Sequence, residues 1–583
     1  MVERYLVTTA LEETWPKDKE KIIFLGEWCK LYSRKKYWQD LDYEILDYHW
    51  NDRVKFEKDY HYLIDFYEKT LESISVKMDM IHQVNYGLKY WRILLGPWLS
   101  LFIQSVFDRW EMIQLAINSS YKLKSIILRE IDCKWTPYDY ENFKNFVTED
   151  DGWNNFILSK IVKFHNNKII AENKKTEDLK INKIKSKQNG FKLRLFHIYQ
   201  SFANVINSNS SSLIISTYLN KIDDIMLSLS LFQLPLFINA KKNVNYSPDI
   251  NKRKWKLEFK TNSSFEKFLL KIIPIQVPSI YLEGYEGLTK KVKELNWPKN
   301  PKSIFTANSI YGDELFKHYA GIKTNKNIPL VVGQHGGNYG MSKLSFPEYH
   351  ELSIADKYIS WGWTKRLINS NKIYPIGQLN SKSKKKSKSN KTKLLIVTAS
   401  LPRYSYFMLS IPISSQWLFY FKNQINFVNQ LNNSIVKETT IRLYRHDYGW
   451  NQIERWKDSL PNLNYDIGAS PIEKHFSDTR LYIATYNSTT YLESFKLDIP
   501  TILFWDQCHW ENRDSVDLIF EELKRVKVFH ESAESAAKHI NQIWDDVQSW
   551  WGSKDVVEII KKFNKFYNKQ SKSLISDLKN ILK

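Results

Sequence analysis

The chain has 583 residues and a net charge of +21, with 43% hydrophobic and 15% aromatic residues. That length is too great for one ordinary core, so two or more domains are expected, and the apolar content suffices to build sizeable ones. The three cysteines, Cys29, Cys133 and Cys508, lie far apart; this excludes a metal-spaced pair and a disulfide framework and fits a reducing cytoplasm.

A basic surface points to phosphate-bearing partners: a nucleotide donor, anionic lipid headgroups or nucleic acid. The alternative is base composition, because Lys, Asn and Ile are abundant throughout. Met1-Val2-Glu3-Arg4 lacks the charged-then-apolar order of a signal peptide. The most hydrophobic stretch, Ile93–Phe107, is broken by Gly96-Pro97 and Gln104 and falls short of the roughly 18 apolar residues of a membrane span, which predicts a buried helix. Peripheral membrane contact through basic patches stays open.

In chain order, Tyr5–Leu11 and Lys21–Leu25 read as strands around the turn Glu12–Pro16. The second leads into Gly26-Glu27-Trp28-Cys29, where Glu27 fits both a strand-end site and a helix start favoured by the dipole. Tyr37–Val84 is dense in aromatics, among them Tyr48-His49-Trp50. Such rings can stack on sugars, although helix packing accounts for most of them, and Asp59–Ile81 has helical spacing. Asp40-Leu41-Asp42 does not follow a buried strand and is discounted as a metal motif. Thr148–Trp153 clusters acids before a helix, as caps do. Lys168–Lys187 reads as a solvated helix or loop, Asn207–Ser212 as a polar turn, and Lys241–Ser264 as a polar segment. Leu213–Thr217, Lys302–Ala307 and Ala355–Trp363 read as strands, with helices over Gly284–Leu295 and Gly312–Tyr319.

The stretch that organises the chain is Val331–Gly340, Val-Val-Gly-Gln-His-Gly-Gly-Asn-Tyr-Gly. An apolar strand, Ile328–Val332, ends in a turn whose Gly333, Gly336, Gly337 and Gly340 permit positive φ and close approach of a ligand. A lone Gly-His-Gly would be an ordinary connection. Here Gln334, Asn338 and Tyr339 surround His335 as well, at a strand end where open α/β sheets bind ligands, so His335 with Gln334, Gly336, Gly337 and Asn338 is taken as a site.

Ser381–Lys393 contains no apolar residue and reads as a linker. Beyond it, strands over Leu394–Ala399, Thr440–Tyr444, Arg480–Thr485, Pro500–Trp505 and Val526–His530 alternate with helices, which predicts a doubly wound α/β domain. The expected plan is α/β with two Rossmann-like domains facing a cleft: an acceptor-side domain over 1–380 with helical insertions, the linker over 381–393, a donor-binding domain over 394–551, and a basic helical tail over 552–583 that crosses back.

Two constellations in the second half suit a phosphate. Arg442, Arg445 and His446 lie at a strand end, where guanidinium forks phosphate oxygens; a surface Arg pair beside Asp447 is the plainer alternative. Ser488, Thr489 and Thr490 open a helix whose free N–H groups would hold an anion. Thr490 and Glu493 also form a capping-box pattern, and Glu493 could meet ribose hydroxyls. His335 or Glu27 would take a proton from an acceptor hydroxyl across the cleft shared with His446. No acidic metal site is evident, so cations and helix N–H groups would stabilise the leaving nucleotide.

Thr9–Pro16, Gly26–Cys29, Tyr90–Trp98, Gly333–Gly340 and Tyr486–Thr489 together resemble a bacterial family of surface-carbohydrate transferases over nearly the whole chain. More distantly the plan is similar to the GT-B glycosyltransferases, including capsule Kdo transferases and sialic-acid-type transferases. Several of those use CMP-activated nonulosonic acids and hold the donor phosphate with a histidine–proline pair; Asp447 follows His446 here in place of proline. His335-Gly336 also resembles the His-Gly of glycerophosphate polymerases of teichoic acid synthesis, where the histidine is a proposed base. The resemblance implies a metal-independent, cofactor-free transferase. It would pass a sugar, foremost a pseudaminic, legionaminic or sialic type from a CMP donor, to a glycan or lipid-linked glycan at the cytoplasmic membrane face, with no nucleic-acid partner. Alternatives are a phosphoalcohol transferase of the same fold and a non-catalytic polyanion- or nucleic-acid-binding protein.

Overall fold

A computed structural model describes residues 2–17, 20–129, 133–175, 210–236, 246–364, 370–380 and 391–583. Its strands form three sheets, and every described pairing within them is parallel. The first comprises β1 (Glu3–Val7), β2 (Ile22–Phe24), β3 (Tyr43–Ile45), β4 (Lys122–Arg129) and β5 (Ile169–Lys175), in the order β3-β2-β1-β4-β5. The second holds β6 (Leu213–Ile214), β7 (Ile304–Thr306), β8 (Leu330–Gly333), β9 (Lys357–Ile359) and β10 (Ile373–Tyr374), in simple sequential order. The third holds β11 (Lys393–Val397), β12 (Thr439–Arg442), β13 (Asn464–Asp466), β14 (Thr479–Ala484), β15 (Thr501–Phe504) and β16 (Phe529–His530), in the order β13-β12-β11-β14-β15-β16.

The α/β class is as expected, and the third sheet has the doubly wound order whose direction reverses between β11 and β14. The part before the linker carries two parallel sheets, one more than the two-sheet plan contains. Part of the first was hidden in a lysine-rich run: Ile169–Lys175 is an edge strand paired with β4 from Leu123↔Ile169 to Arg129↔Lys175, not a solvated helix or loop. Charged side chains on an edge strand discourage pairing with another chain. Residues 176–187 of that run, 207–209 of the polar turn, 241–245 of the next polar segment and 381–390 of the linker lie outside the described residues.

Parallel strands covered on both faces read as continuous apolar runs. Leu330, Val331 and Val332 of β8, and Leu394 and Ile396 of β11, are fully buried. The hydrophobic stretch forms the helices Gly87–Leu94 and Gly96–Ile117, divided at Leu95 by Gly96 and by Pro97 at the second helix's first turn. Tyr48, His49 and Trp50 are buried, and the first two share Asp108 as hydrogen-bond partner, so packing accounts for them. Asp150 caps the helix Asp151–Phe164 by accepting from Trp153 N–H.

Two segments tie the sheets together. The loop after β11 docks on the first sheet's helices. Arg403 donates to Trp28 O and, at 3.0 Å, to Asp151. Tyr404 also donates to Asp151, Arg109 to Ser405 O, and Met408 N–H to Gln104. At the chain's end, the helix Leu574–Leu582 packs Leu578 and Leu582 against Phe305, Val331 and Ile359 of the second sheet.

Candidate active site

The turn after β8 is held from behind. Gln334, 1% exposed, accepts from Trp361 N–H at 2.9 Å and from the Trp363 indole at 2.8 Å, and donates to Gly336 O at 2.7 Å. It fixes the loop from which His335 projects. Of the four glycines only Gly340 has positive φ, at 77°, and its N–H donates to Glu348 at 2.8 Å. Gly337 is needed for contact: a Cβ there would lie 2.7 Å from the carbonyl carbon of Ser488 and 2.8 Å from Thr489 Cα. Its N–H donates to Thr489 Oγ1 at 3.0 Å. The histidine turn of the second sheet thus sits directly on the start of a third-sheet helix, Thr489–Lys496.

His335 stands among tyrosines. Its ring centroid is 6.1 Å from Tyr218, stacked at 12°, and 5.9 Å and 5.2 Å from Tyr311 and Tyr339. Nδ1 lies 3.4 Å from Glu351 Oε1, and Nε2 lies 3.5 Å from the Tyr339 hydroxyl. Glu351, on the helix Phe346–Ile354, is fully buried and accepts from the hydroxyls of Tyr311 and Tyr339 at 2.7 Å and Tyr358 at 3.0 Å. Burial pushes its carboxyl up to about 8 and pulls the His335 imidazole down to about 4, since loss of water disfavours each charged form. The pair can take up one proton, from a state with Glu351 ionised.

His335 lines a cavity of about 330 Å³, with Tyr140, Asn308, Tyr311, Asn338 and His350 among its walls. A second cavity, of about 200 Å³, lies at the carboxyl ends of β11 and β14, where the third sheet's order reverses; Ser400, Tyr444, Tyr448, Tyr486, Asn487 and Ser488 line it. Asn338, Tyr406, Phe407 and Leu409 line both. Ser488 is the N-cap of the helix Thr489–Lys496 and makes no side-chain cap bond. With the helix starting at Thr489, Thr490 is inside its first turn and is not the cap of the Thr490/Glu493 box; its hydroxyl is 3.4 Å from that of Tyr486.

The remaining residues singled out in the sequence lie apart from these walls. Arg442 is turned to Asp466 and Ser470 O. Arg445 and His446 are exposed, and His446 Nε2 meets Glu149 at 2.5 Å. Neither cavity is lined by Arg442, Arg445, His446, Thr489, Thr490, Glu493 or Glu27; of the expected donor residues only Ser488 lines one, the smaller cavity, which adjoins the His335 cavity through shared walls. Glu27 pairs with Lys30 at 3.2 Å. The loop after β12 does reach the smaller cavity, through Tyr444 and Tyr448, while Arg445 and His446 between them are exposed to solvent. Glu351, His350, Ser400 and Tyr448 were not singled out. An acid at helical spacing reads as a solvated face, and only the fold shows Glu351 enclosed.

A family model described as LIC12162 family transferase matches residues 4–582. No curated protein matches the chain. Among solved structures it is similar to TarM, at 16% identity and TM-score 0.33 over 48% of this chain and 54% of that one; the match spans about half of TarM. It is also similar to the wall teichoic acid polymerase TagF, at 11% identity and TM-score 0.28 over 67% of this chain and 93% of that one. A third is MurG of Acinetobacter baumannii, at 9% identity and TM-score 0.29 over 51% and 77%.

Proposed function

The chain belongs to the LIC12162 family of transferases, and from that premise we propose that it is a glycosyltransferase of surface-glycan assembly that passes a sugar from a nucleotide donor to a glycan hydroxyl. The observation that carries this reading is the pair of cavities joined at Asn338, one at a Rossmann switch point and one holding His335. The nucleotide occupies the smaller cavity, with its phosphate on Ser488 and the first N–H groups of the helix Thr489–Lys496, where the helix dipole favours an anion. The acceptor occupies the larger one. Its hydroxyl gives a proton to His335 as the oxygen attacks the anomeric carbon and the nucleotide phosphate departs. Glu351 orients the imidazole and takes up the charge.

The donor is a CMP-linked sugar of nonulosonic type, and no metal is required. This finer reading draws support from the described lining of the smaller cavity, which contains no lysine or arginine. One phosphate can be met by helix N–H groups and hydroxyls, whereas a diphosphate calls for more positive charge. The acceptor is a glycan, lipid-linked at the inner membrane face. None of the described helices is long and apolar enough to cross a membrane. Peripheral contact has support in the helix Lys221–Ser230: Ile222, Met226 and Leu229, spaced i, i+4, i+7, are 69%, 51% and 54% exposed. Lys579 lies 5.6 Å over the neighbouring Phe232 ring, which suits an anionic surface.

Thermal shift with CMP, CDP, UDP and GDP tests the donor. Selective stabilisation by CMP is expected. Preference for CDP would favour phosphoalcohol transfer, and indifference to all four would favour a polyanion-binding protein.

A further inference from the structure

Three residues within the loop after β12 have positive φ: Tyr448 at 57°, Gly449 at 82° and Asn451 at 55°. Glycine and asparagine accept that region; a bulky aromatic residue enters it only against a steric cost. The surroundings impose it here. The Asp447 carboxylate accepts from the N–H groups of Asn451 at 2.8 Å and Gln452 at 2.6 Å, and the Asp447 carbonyl accepts from the Ser400 hydroxyl at 2.9 Å. The Gln452 side chain donates to Tyr444 O at 2.7 Å. Trp450, 1% exposed, donates to Leu401 O at 2.7 Å and stacks on Trp417. Strain held this firmly is a feature of ligand clamps.

What the strained loop presents is a pair of rings. Tyr444 and Tyr448 are nearly parallel, with an interplanar angle of 15° and centroids 6.2 Å apart, and both line the smaller cavity. Tyr448 is half-buried, and the His446 ring meets it edge-on at 4.3 Å. Tyr444 is 43% exposed. An exposed ring fixed parallel to its neighbour is an unfinished stack, and a flat heteroaromatic ligand continues it.

Strand order orients that ligand. The sequence β12-β11-β14 across the sheet puts the two tyrosines on one side of β11 and Ser488 on the other. Neighbouring strands stand about 4.8 Å apart, so the two loops are separated by roughly 10 Å, the reach of a nucleotide from phosphate to base.

Resting on the glycosyltransferase reading, we infer that Tyr444 and Tyr448 form the nucleobase platform of the donor site. The base stacks on the β12 loop, the ribose crosses the end of β11, and the phosphate reaches Ser488. Stacking tolerates any base, so the platform supplies affinity for the nucleoside half and not the choice of cytosine.

The test uses the full chain, with CMP and ribose 5-phosphate as probes; the second keeps the sugar and the phosphate and lacks the base. Loss of a stacked aromatic ring weakens nucleotide binding by about five- to a hundredfold, and CMP should bind Tyr444→Leu and Tyr448→Leu more weakly than wild type by a factor in that range. Tyr444→Phe and Tyr448→Phe retain the ring and should bind CMP nearly as wild type does. Ribose 5-phosphate should bind all of these proteins alike. The cytosine H5 and H6 NMR signals should move upfield on binding to the wild type and not to the leucine variants. Tyr444→Leu, at an exposed position, keeps the test decisive should substitution at the strained Tyr448 disturb the loop. CMP affinity unchanged in both leucine variants, or ribose 5-phosphate affinity that falls as far as that of CMP, would overturn the inference and leave the transferase reading intact. Wild-type protein that binds neither probe would overturn that reading as well.

Discussion

Replacing Gly337 by alanine probes the contact on which the cleft is built. The added Cβ would lie 2.7 Å, 2.8 Å and 2.8 Å from Ser488 C, Ser488 O and Thr489 Cα, all backbone atoms that no rotamer change can move aside. Overpacking of this kind costs about 1–3 kcal/mol. Losing the 3.0 Å bond from Gly337 N–H to Thr489 Oγ1 adds about 0.5–1.5 kcal/mol. The strain falls between the histidine turn and the start of the helix Thr489–Lys496, so it should open the cleft more than it unfolds either sheet. A total of about 1.5–4.5 kcal/mol against closure lowers transfer by roughly ten- to a thousandfold. Transfer rate and urea unfolding of the same protein separate the two effects. Thr489→Val removes only the hydrogen bond and should cost about two- to tenfold, whereas Thr489→Ser retains the hydroxyl and should stay near wild type. A Gly337→Ala protein with wild-type turnover, or one whose loss is entirely matched by global unfolding, would refute the reasoning.

His335→Ala should leave CMP stabilisation unchanged and lower turnover by about a hundredfold or more; lost nucleotide binding with turnover spared would reverse the assigned roles. Glu351 gives a pH test of both activity and stability. Its folded value of about 8 lies above its ordinary 4.5, so the folded state holds a proton that the unfolded state has released. Stability present below pH 4.5 is therefore lost as pH rises through about 8, while the ionised pair needed for proton uptake accumulates. Transfer should rise toward pH 8 as stability declines, and Glu351→Gln should flatten both trends; an unchanged pH–stability curve in that variant would contradict the burial argument. Serine at Ile222, Met226 and Leu229 together should weaken sedimentation with anionic phosphatidylglycerol vesicles by tenfold or more without lowering the melting temperature; equal sedimentation would rule out this helix as the membrane face.

How far the sequence led can be judged strand by strand. Leu394–Val397 and Leu481–Ala484 are unbroken apolar runs, and their strands are found within a residue or two of the expected positions. β5 was missed because a lysine-laced edge strand has the composition of a solvated segment. β13, at the far edge of the third sheet, has only three residues, too few to show a period. The clustering of glycines marked a special turn, although the reason differs from position to position: Gly340 for its φ, Gly337 for backbone contact. Which part of the facing wall meets that turn was not legible. β11 pairs with both β12 and β14, and local sequence marks the loops after both; only the fold shows that the β12 loop reaches the smaller cavity through Tyr444 and Tyr448 and not through Arg445 or His446.

The central claim is that a nucleotide sits at the β11/β14 reversal, facing His335 across Asn338. A crystal structure of the protein soaked with CMP tests it most directly. The account predicts the phosphate within hydrogen-bond reach of Ser488 and the N–H groups of Thr489 and Thr490, in the cavity shared by Ser400 and Asn487. CMP held instead by Arg445 and His446, outside that cavity, would contradict it.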